Sequence, residues 1–352
     1  MKIGLLSEGE ILPGATYAQR YEELIEEVRT ADRYGYHCWG TSEQHFAPPR
    51  FTVSAPEVLY AAIARETKNI QLRIMCSVLL RWNHPLLVAE RLATLDIVSG
   101  GRAQISTARS NNIYTLSTFG VSPSETKAQW EDAIQVLAKA LTSTKLSHDG
   151  PFFPFEEREL VPTITEPKTL SVAASSASSC QQAGQMGIGA LLFESYFGMD
   201  YMQKCIDAFR SGITERTNPL PVPPSNEMGL YVATAFCDRD AKVAVDKSRN
   251  VMLGYAAFIA DLYAPLAKKT SYEYLDEHMA RFLQNQSDVD FLMRSPSVLV
   301  GTPTQLIERL EELSARGIDE VLLRIDGMPH HQIVEAITLI GEEVIPHFAR
   351  KK

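Results

Sequence analysis

The residues able to do chemistry in this chain collect where apolar runs end. Leu170-Ser171-Val172-Ala173-Ala174 gives way to Ser175-Ser176-Ala177-Ser178-Ser179, and a helical pattern follows to Gln185. Strand, polar turn and helix in that order put hydroxyls and free backbone N–H groups at a helix N-terminus, where the dipole favours an anion. Serines are also common caps, so this turn alone fits a plain N-cap as well as an anion site. Two basic residues favour the anion site. Arg109 follows the apolar run 102–108, and a guanidinium matches phosphate through paired hydrogen bonds. Lys127, one turn into the next helical pattern, offers a second charge. On type alone Arg109 also suits a structural ion pair across the same mouth. Another run ends in Glu43-Gln44-His45-Phe46. His45 there suits an acid, a base or a hydrogen-bond donor, and equally a supporting position behind the site. Cys76-Ser77 lies in a third run, and Arg324-Ile325-Asp326 ends a fourth. No pair of histidines four apart with a nearby acid occurs. His330-His331 are adjacent, and there is no Gly-x-Ser-x-Gly elbow, so neither a metal site nor a serine hydrolase is predicted.

The elements that must position these residues alternate from end to end. Strand-like runs cover 2–7, 37–42, 70–79, 102–108, 170–174, 188–193, 228–237 and 320–325. Helical patterns lie between them. The first, 17–34, carries Tyr21, Leu24, Ile25 and Val28 on one stripe with acids opposite. Others cover 56–66, 85–99, 124–141 and 200–211, and several stop at glycine, as at Gly35 and Gly100-Gly101. Eight strand–helix units predict an α/β fold of the closed (β/α)8 TIM-barrel kind, with working residues at the strand ends. An open doubly wound sheet is the alternative. It calls for a Gly-rich fingerprint after the first strand, and Ser7-Glu8-Gly9-Glu10 is not one. The chain, 1–352, is read as a single domain. Two stretches break the rhythm. Residues 142–167 read as a long connection with a hairpin. Residues 254–296, between the seventh strand and a helix beginning near Thr302, exceed what one crossover needs and read as a mobile lid or a surface excursion.

Composition narrows the partners. A net charge of −9 opposes a nucleic-acid or anionic-membrane surface, yet leaves room for a small anion held by local positive charge. The five cysteines, Cys38, Cys76, Cys180, Cys205 and Cys237, are scattered without zinc or disulfide spacing. Met1 leads directly into a strand-like segment and no apolar run approaches the ~20 residues of a membrane span, so a cytoplasmic location is expected.

These residues together resemble the bacterial luciferase-like flavin monooxygenases, the luciferase α-subunit type most of all, over nearly the whole chain. Four segments carry the likeness: Ala31-Asp32-Arg33-Tyr34-Gly35-Tyr36 leading to Glu43-Gln44-His45-Phe46; His84-Pro85 followed by Leu95-Asp96-Ile97-Val98-Ser99-Gly100-Gly101-Arg102; Arg109 ten residues before Phe119-Gly120; and 172–179. Gly301-Thr302-Pro303 before a helix is a shorter fifth agreement. The resemblance implies a barrel that binds reduced FMN, lets it react with O2 to a flavin 4a-(hydro)peroxide, and oxygenates a substrate under a mobile loop. It implies that Arg109 grips the FMN phosphate, with Ser176 and Ser179 as the hydroxyls beside it and Lys127 as a further basic contact. Cys76-Ser77 would form a non-proline cis peptide against the isoalloxazine, Glu43 and Ser175 would border the cofactor, and 254–296 would be the loop. Its partners would be a flavin reductase, O2 and a small or medium organic substrate, free or tethered to a carrier protein. The assembly would be a homo-oligomer such as a homodimer.

Two departures matter. The luciferase pattern has two histidines after the glutamate, the first tied to its chemistry. Here Gln44 takes that place, leaving His45. A glutamine exchanges no proton near neutral pH, so the resemblance does not carry aldehyde oxidation with light emission to this chain. Ser175 stands where luciferase has a carboxylate. Two other functions fit the same barrel. A deazaflavin-dependent dehydrogenase would move a hydride without O2. A non-catalytic luciferase-β-like subunit would support a partner, and would have no need of Arg109, Ser176 and Ser179 as a phosphate site.

Overall fold

Eight parallel strands close on themselves in a computed structural model that describes residues 1–269 and 272–349. They are β1 (Lys2–Leu6), β2 (Cys38–Ser42), β3 (Gln71–Val78), β4 (Ala103–Ala108), β5 (Leu170–Ala174), β6 (Gly189–Leu192), β7 (Met228–Val232) and β8 (Glu320–Arg324). Each pairs with its neighbour in sequence, and β1 closes the ring by pairing with both β2 and β8, for example Ile3 opposite Val321. This is the (β/α)8 barrel, and the closed ring rules out the open doubly wound sheet. The strands can be short and almost wholly apolar because helices cover their outer faces; β2, β6, β7 and β8 are buried at every residue. At the N-terminal end Arg73 pairs with the buried Glu320 and bonds Gln104 Oε1 at 2.9 and 3.0 Å, an internal plug.

The helices follow their sequence signals. Thr16 Oγ1 accepts from the Gln19 amide at 3.1 Å to start Tyr17–Arg33, and Pro opens both Pro56–Glu66 and Pro85–Ser99. Pro85–Ser99 ends on Gly100 in the left-handed region, φ 70°. The pattern 124–141 divides into a 3₁₀ turn, Pro123–Glu125, and the helix Thr126–Ala140. The helix expected at 200–211 runs longer, Met199–Glu215. It lies against the helix Ala177–Met186 with Gly184 and Gly212 at the contact. A Cβ on Gly184 would run into the Phe209 carbonyl, and one on Gly212 into the Gln181 carbonyl.

The two irregular stretches resolve differently from one another. Within 142–167 an antiparallel hairpin forms from Lys145–His148 and Phe155–Glu159, as expected. The single strand expected over 228–237 is two. β7 stops at Val232, and after Ala233 the chain leaves the barrel as Thr234–Cys237, which pairs parallel with Val298–Gly301. Gly254 is also no boundary, since it lies inside the helix Ala241–Tyr263. The excursion proper follows Tyr263 and carries two short helices, Asp276–Asn285 and Val289–Arg294, with Thr270 and Ser271 outside the described residues. Among the described residues, no helix is long and apolar enough to cross a membrane.

Candidate active site

The C-terminal mouth of the barrel holds a cavity of roughly 310 Å³, the size of a small-ligand site. Ser175, Ser176, Ser179, Arg109 and Lys127 all line it, so the structure brings the sequence-predicted anion residues to one place. The local cause is the β5 turn. Ser176 caps the helix Ala177–Met186: its Oγ accepts from the Ser179 amide at 3.2 Å and lies 2.5 Å from Ser179 Oγ. The N–H groups of Ala177 and Ser178 in that first turn have no capping partner among the described residues. The Ser175 carbonyl accepts from the Tyr201 hydroxyl at 2.6 Å, which fixes the turn from behind.

Arg109, just beyond β4, has no carboxylate partner among the described residues. Its guanidinium stands 5.4 Å from the centroid of the Tyr272 ring, and Tyr272 donates its hydroxyl to the Ser110 carbonyl at 2.8 Å. The ion-pair reading of Arg109 therefore falls away. Lys127 is half exposed, 3.9 Å from Glu131 one turn on. Tyr272 and Tyr274, both from the excursion, line the cavity beside these cations. Sequence reasoning missed them because no motif marks two tyrosines in a long insertion.

The other residues place as follows. Cys76 and Ser77 are in β3, and Cys76 lines the cavity, but the expected cis bond between them is absent. Among the described residues the cis peptides are Pro48–Pro49 and Val161–Pro162. Instead β3 slips register against β4 between Ile74 and Ser77, and Cys76 takes a left-handed φ of 51°. A register slip of this kind bends the strand locally, here beside the cavity. Burial, with the charge of Glu8 nearby, pushes the Cys76 thiol up to about 12, so it is not a thiolate nucleophile. Ser77 is fully buried and its Oγ has no partner.

Glu43 and Gln44 line the cavity; His45 does not. The His45 ring turns into a shallow neighbouring cleft, bonded to Glu43 Oε1 at 3.1 Å and packed edge-on against Phe119 with centroids 5.3 Å apart. Glu43 Oε2 accepts from Asn83 at 3.0 Å. The floor holds a group the sequence reading passed over. Glu8, just past β1, is 2% exposed and lines the cavity, accepting from Ser42 Oγ at 2.9 Å and from the Tyr231 hydroxyl at 3.2 Å. Tyr231 in turn lies 2.8 Å from the Tyr255 hydroxyl. Phe51, Phe193 and Ile259 supply the apolar wall. Among the described residues, no group of three or more His, Cys, Asp or Glu could hold a metal ion.

A closed eight-stranded barrel whose C-terminal mouth joins an anion-suited end to an apolar, tyrosine-rich end is the working site of a barrel enzyme. The chain belongs to the luciferase-like monooxygenase family, whose profile matches residues 1–320. An uncharacterized protein of Sinorhizobium fredii is 29% identical, aligned over 44% of each chain. The oxygenase component of a flavin-dependent trigonelline monooxygenase from Acinetobacter baylyi is 28% identical over 96% of this chain and 92% of its own. An F420-dependent glucose-6-phosphate dehydrogenase of Kribbella flavida is 24% identical over 92% and 93%. The oxygenating constituent of 3,6-diketocamphane monooxygenase of Pseudomonas putida, solved with FMN, has the same fold: TM-score 0.74, 17% identity, 98% of both chains.

Proposed function

We propose that this chain is the oxygenase component of a two-component monooxygenase. It takes reduced FMN from a separate reductase and uses O2 to oxygenate a small or medium organic molecule. The observation that carries the reading is the anion end of the cavity: Arg109 without a carboxylate, beside the Ser176–Ser179 turn at a helix N-terminus with two free N–H groups. That donor set fits a phosphate monoester, so the residues present fit FMN. When bound, reduced FMN supplies the two electrons that activate O2. Arg109 and Lys127 neutralise the phosphate, Ser176 and Ser179 donate hydroxyls to it, and Ser175 holds the turn. Gln44, Glu43 and Cys76 at the bulge in β3 border the ring system, with Ser77 buried behind them. Phe51, Phe193 and Ile259 keep water from the reacting end. The excursion after Tyr263 serves as the lid, with Tyr272 against Arg109 and Tyr274 on the cavity wall.

A deazaflavin-dependent hydride transfer remains a second reading because of the Kribbella relative. Calorimetric titration with FMN, riboflavin and coenzyme F420, followed by oxygen-electrode turnover with a flavin reductase and candidate substrates, separates the two. Tight FMN binding with incorporation of an ¹⁸O atom from O2 into product is expected. Preference for the deazaflavin with no O2 uptake would replace the oxygenase reading.

A further inference from the structure

Beneath the cavity lies a network of buried carboxylates, most of which have a guanidinium. Glu10 pairs with Arg50 and Arg324; Glu27 and Asp326 share Arg20 at 2.7 and 3.3 Å. Glu8 is the exception. Its contacts are Ser42 Oγ, the Ser42 amide at 3.4 Å and the Tyr231 hydroxyl, all neutral. Arg324 acts on it only through space: its Nη atoms go to Glu10 and the Ala233 carbonyl, its face lies 4.1 Å from the Tyr255 ring, and its Nε makes no hydrogen bond. An unpaired carboxylate in such a place is costly, and a proton is the cheapest way to neutralise it.

We propose that Glu8 is the acid–base residue of this site, holding the proton that the reaction consumes and passing it into the cavity, with Tyr231 and Tyr255 ordering its hydrogen bonds. The inference rests on the oxygenase reading. For a substrate S the balance is S + O2 + FMNH⁻ + H⁺ → SO + FMN + H2O. The flavin and S each give up two electrons and O2 takes four; one oxygen enters S and the other leaves as water. Glu8 delivers the H⁺ to the departing oxygen and regains one from solvent. His45, the titratable residue that motif reasoning favours, faces the neighbouring cleft and bonds Glu43.

The groups facing Glu8 from each packed element agree with a carboxyl that titrates in use. Asp326, beyond β8, raises its proton affinity, while Arg324 and Ser42 lower it; burial outweighs them all and pushes the carboxyl up to about 7. Cys76 from β3, Tyr60 from the helix Pro56–Glu66, and Tyr231 and Tyr255 all stay protonated through that range, being raised by burial.

Infrared titration of the ligand-free protein between pH 5 and 9 tests this without any cofactor. A protonated-carboxyl band should vanish with a midpoint near 7 and be missing in Glu8→Gln. Tyr231→Phe removes a donor to the charged form, so the midpoint should move up. A band that survives Glu8→Gln, no band at all, or a midpoint indifferent to Tyr231→Phe would overturn the assignment. Reoxidation by O2 of chemically reduced FMN on the protein gives a second readout. It should slow on the order of 10²-fold in Glu8→Gln and lose the pH limb near 7. An unchanged pH profile would also overturn the assignment. FMN titration of the parent is read separately: failure there removes the cofactor reading, while the ligand-free band still reports on Glu8.

Discussion

Arg109 stands at the mouth with an aromatic face on one side and no carboxylate to quench it. Arg109→Ala is expected to weaken FMN binding by roughly 2–5 kcal/mol, the cost of stripping a charge-assisted partner from a desolvated phosphate. Riboflavin, which lacks the phosphate, should respond little. Equal FMN affinity of mutant and parent in fluorescence titration would remove Arg109 from the site. Glu8 makes a prediction of opposite kind, about stability. Its carboxyl is raised from 4.5 to about 7, so the folded chain binds that proton more tightly than the unfolded one. The stabilisation is full below about pH 4.5 and is lost as the pH rises through about 7, a swing of about 3 kcal/mol. Urea melts at pH 5 and pH 8 should show the parent losing stability against Glu8→Gln over that interval. Parallel behaviour would mean an ionised Glu8 at both pH values. The residue scale was only partly legible in the sequence. Arg109, Lys127 and the serines could be read because strand ends in a barrel point to one place. His45 could not, because a strand-end motif does not fix which way each side chain turns: Glu43 and Gln44 line the cavity, while the His45 ring turns into the neighbouring cleft and bonds Glu43. Glu8 carries no motif; its meaning comes from which guanidinium groups its neighbours have taken.

The helices Ala177–Met186 and Met199–Glu215 approach closely only because Gly184 and Gly212 lack side chains, and the first of them carries the Ser176–Ser179 turn. Gly212→Ala should push the pair apart, costing about 1–3 kcal/mol in a thermal or urea melt and lowering FMN affinity without touching the cavity. Unaltered stability would mean that the contact is more yielding than its geometry. The excursion after Tyr263 meets the barrel through Tyr272 at Arg109 and Ser110, so FMN should slow its cleavage. Limited proteolysis is expected to nick 264–275 before the barrel, and a cut rate indifferent to FMN would deny it the part of a lid. All eight barrel strands were readable as apolar runs bounded by turn signals, as was the hairpin within 142–167. The break at Ala233 was not. The chain stays apolar as it leaves the barrel, and a run buried on both faces has no period to interrupt.

At the scale of the molecule, the chain presents one phosphate-suited turn and no Gly-x-Gly-x-x-Gly turn for a pyrophosphate. Alone it should oxidise NADH and NADPH poorly even with FMN present; a flavin reductase or chemically reduced FMN should restore O2 consumption. Rapid, saturable NADH oxidation by the purified chain would make it self-sufficient.

The short ladder between Thr234–Cys237 and Val298–Gly301 lies just outside the barrel wall. By holding the two ends of 238–297 side by side, it turns that stretch into a cassette. With its ends fixed, lengthening the cassette costs little, about 0.6 kcal/mol for each doubling of a flexible loop. New sequence can be spliced in without disturbing the register of β7 or β8. Change can therefore fall on two parts separately: the ring of strands, and a clipped-in segment that brings Tyr255, Ile259, Tyr263, Tyr272 and Tyr274 to the cavity wall.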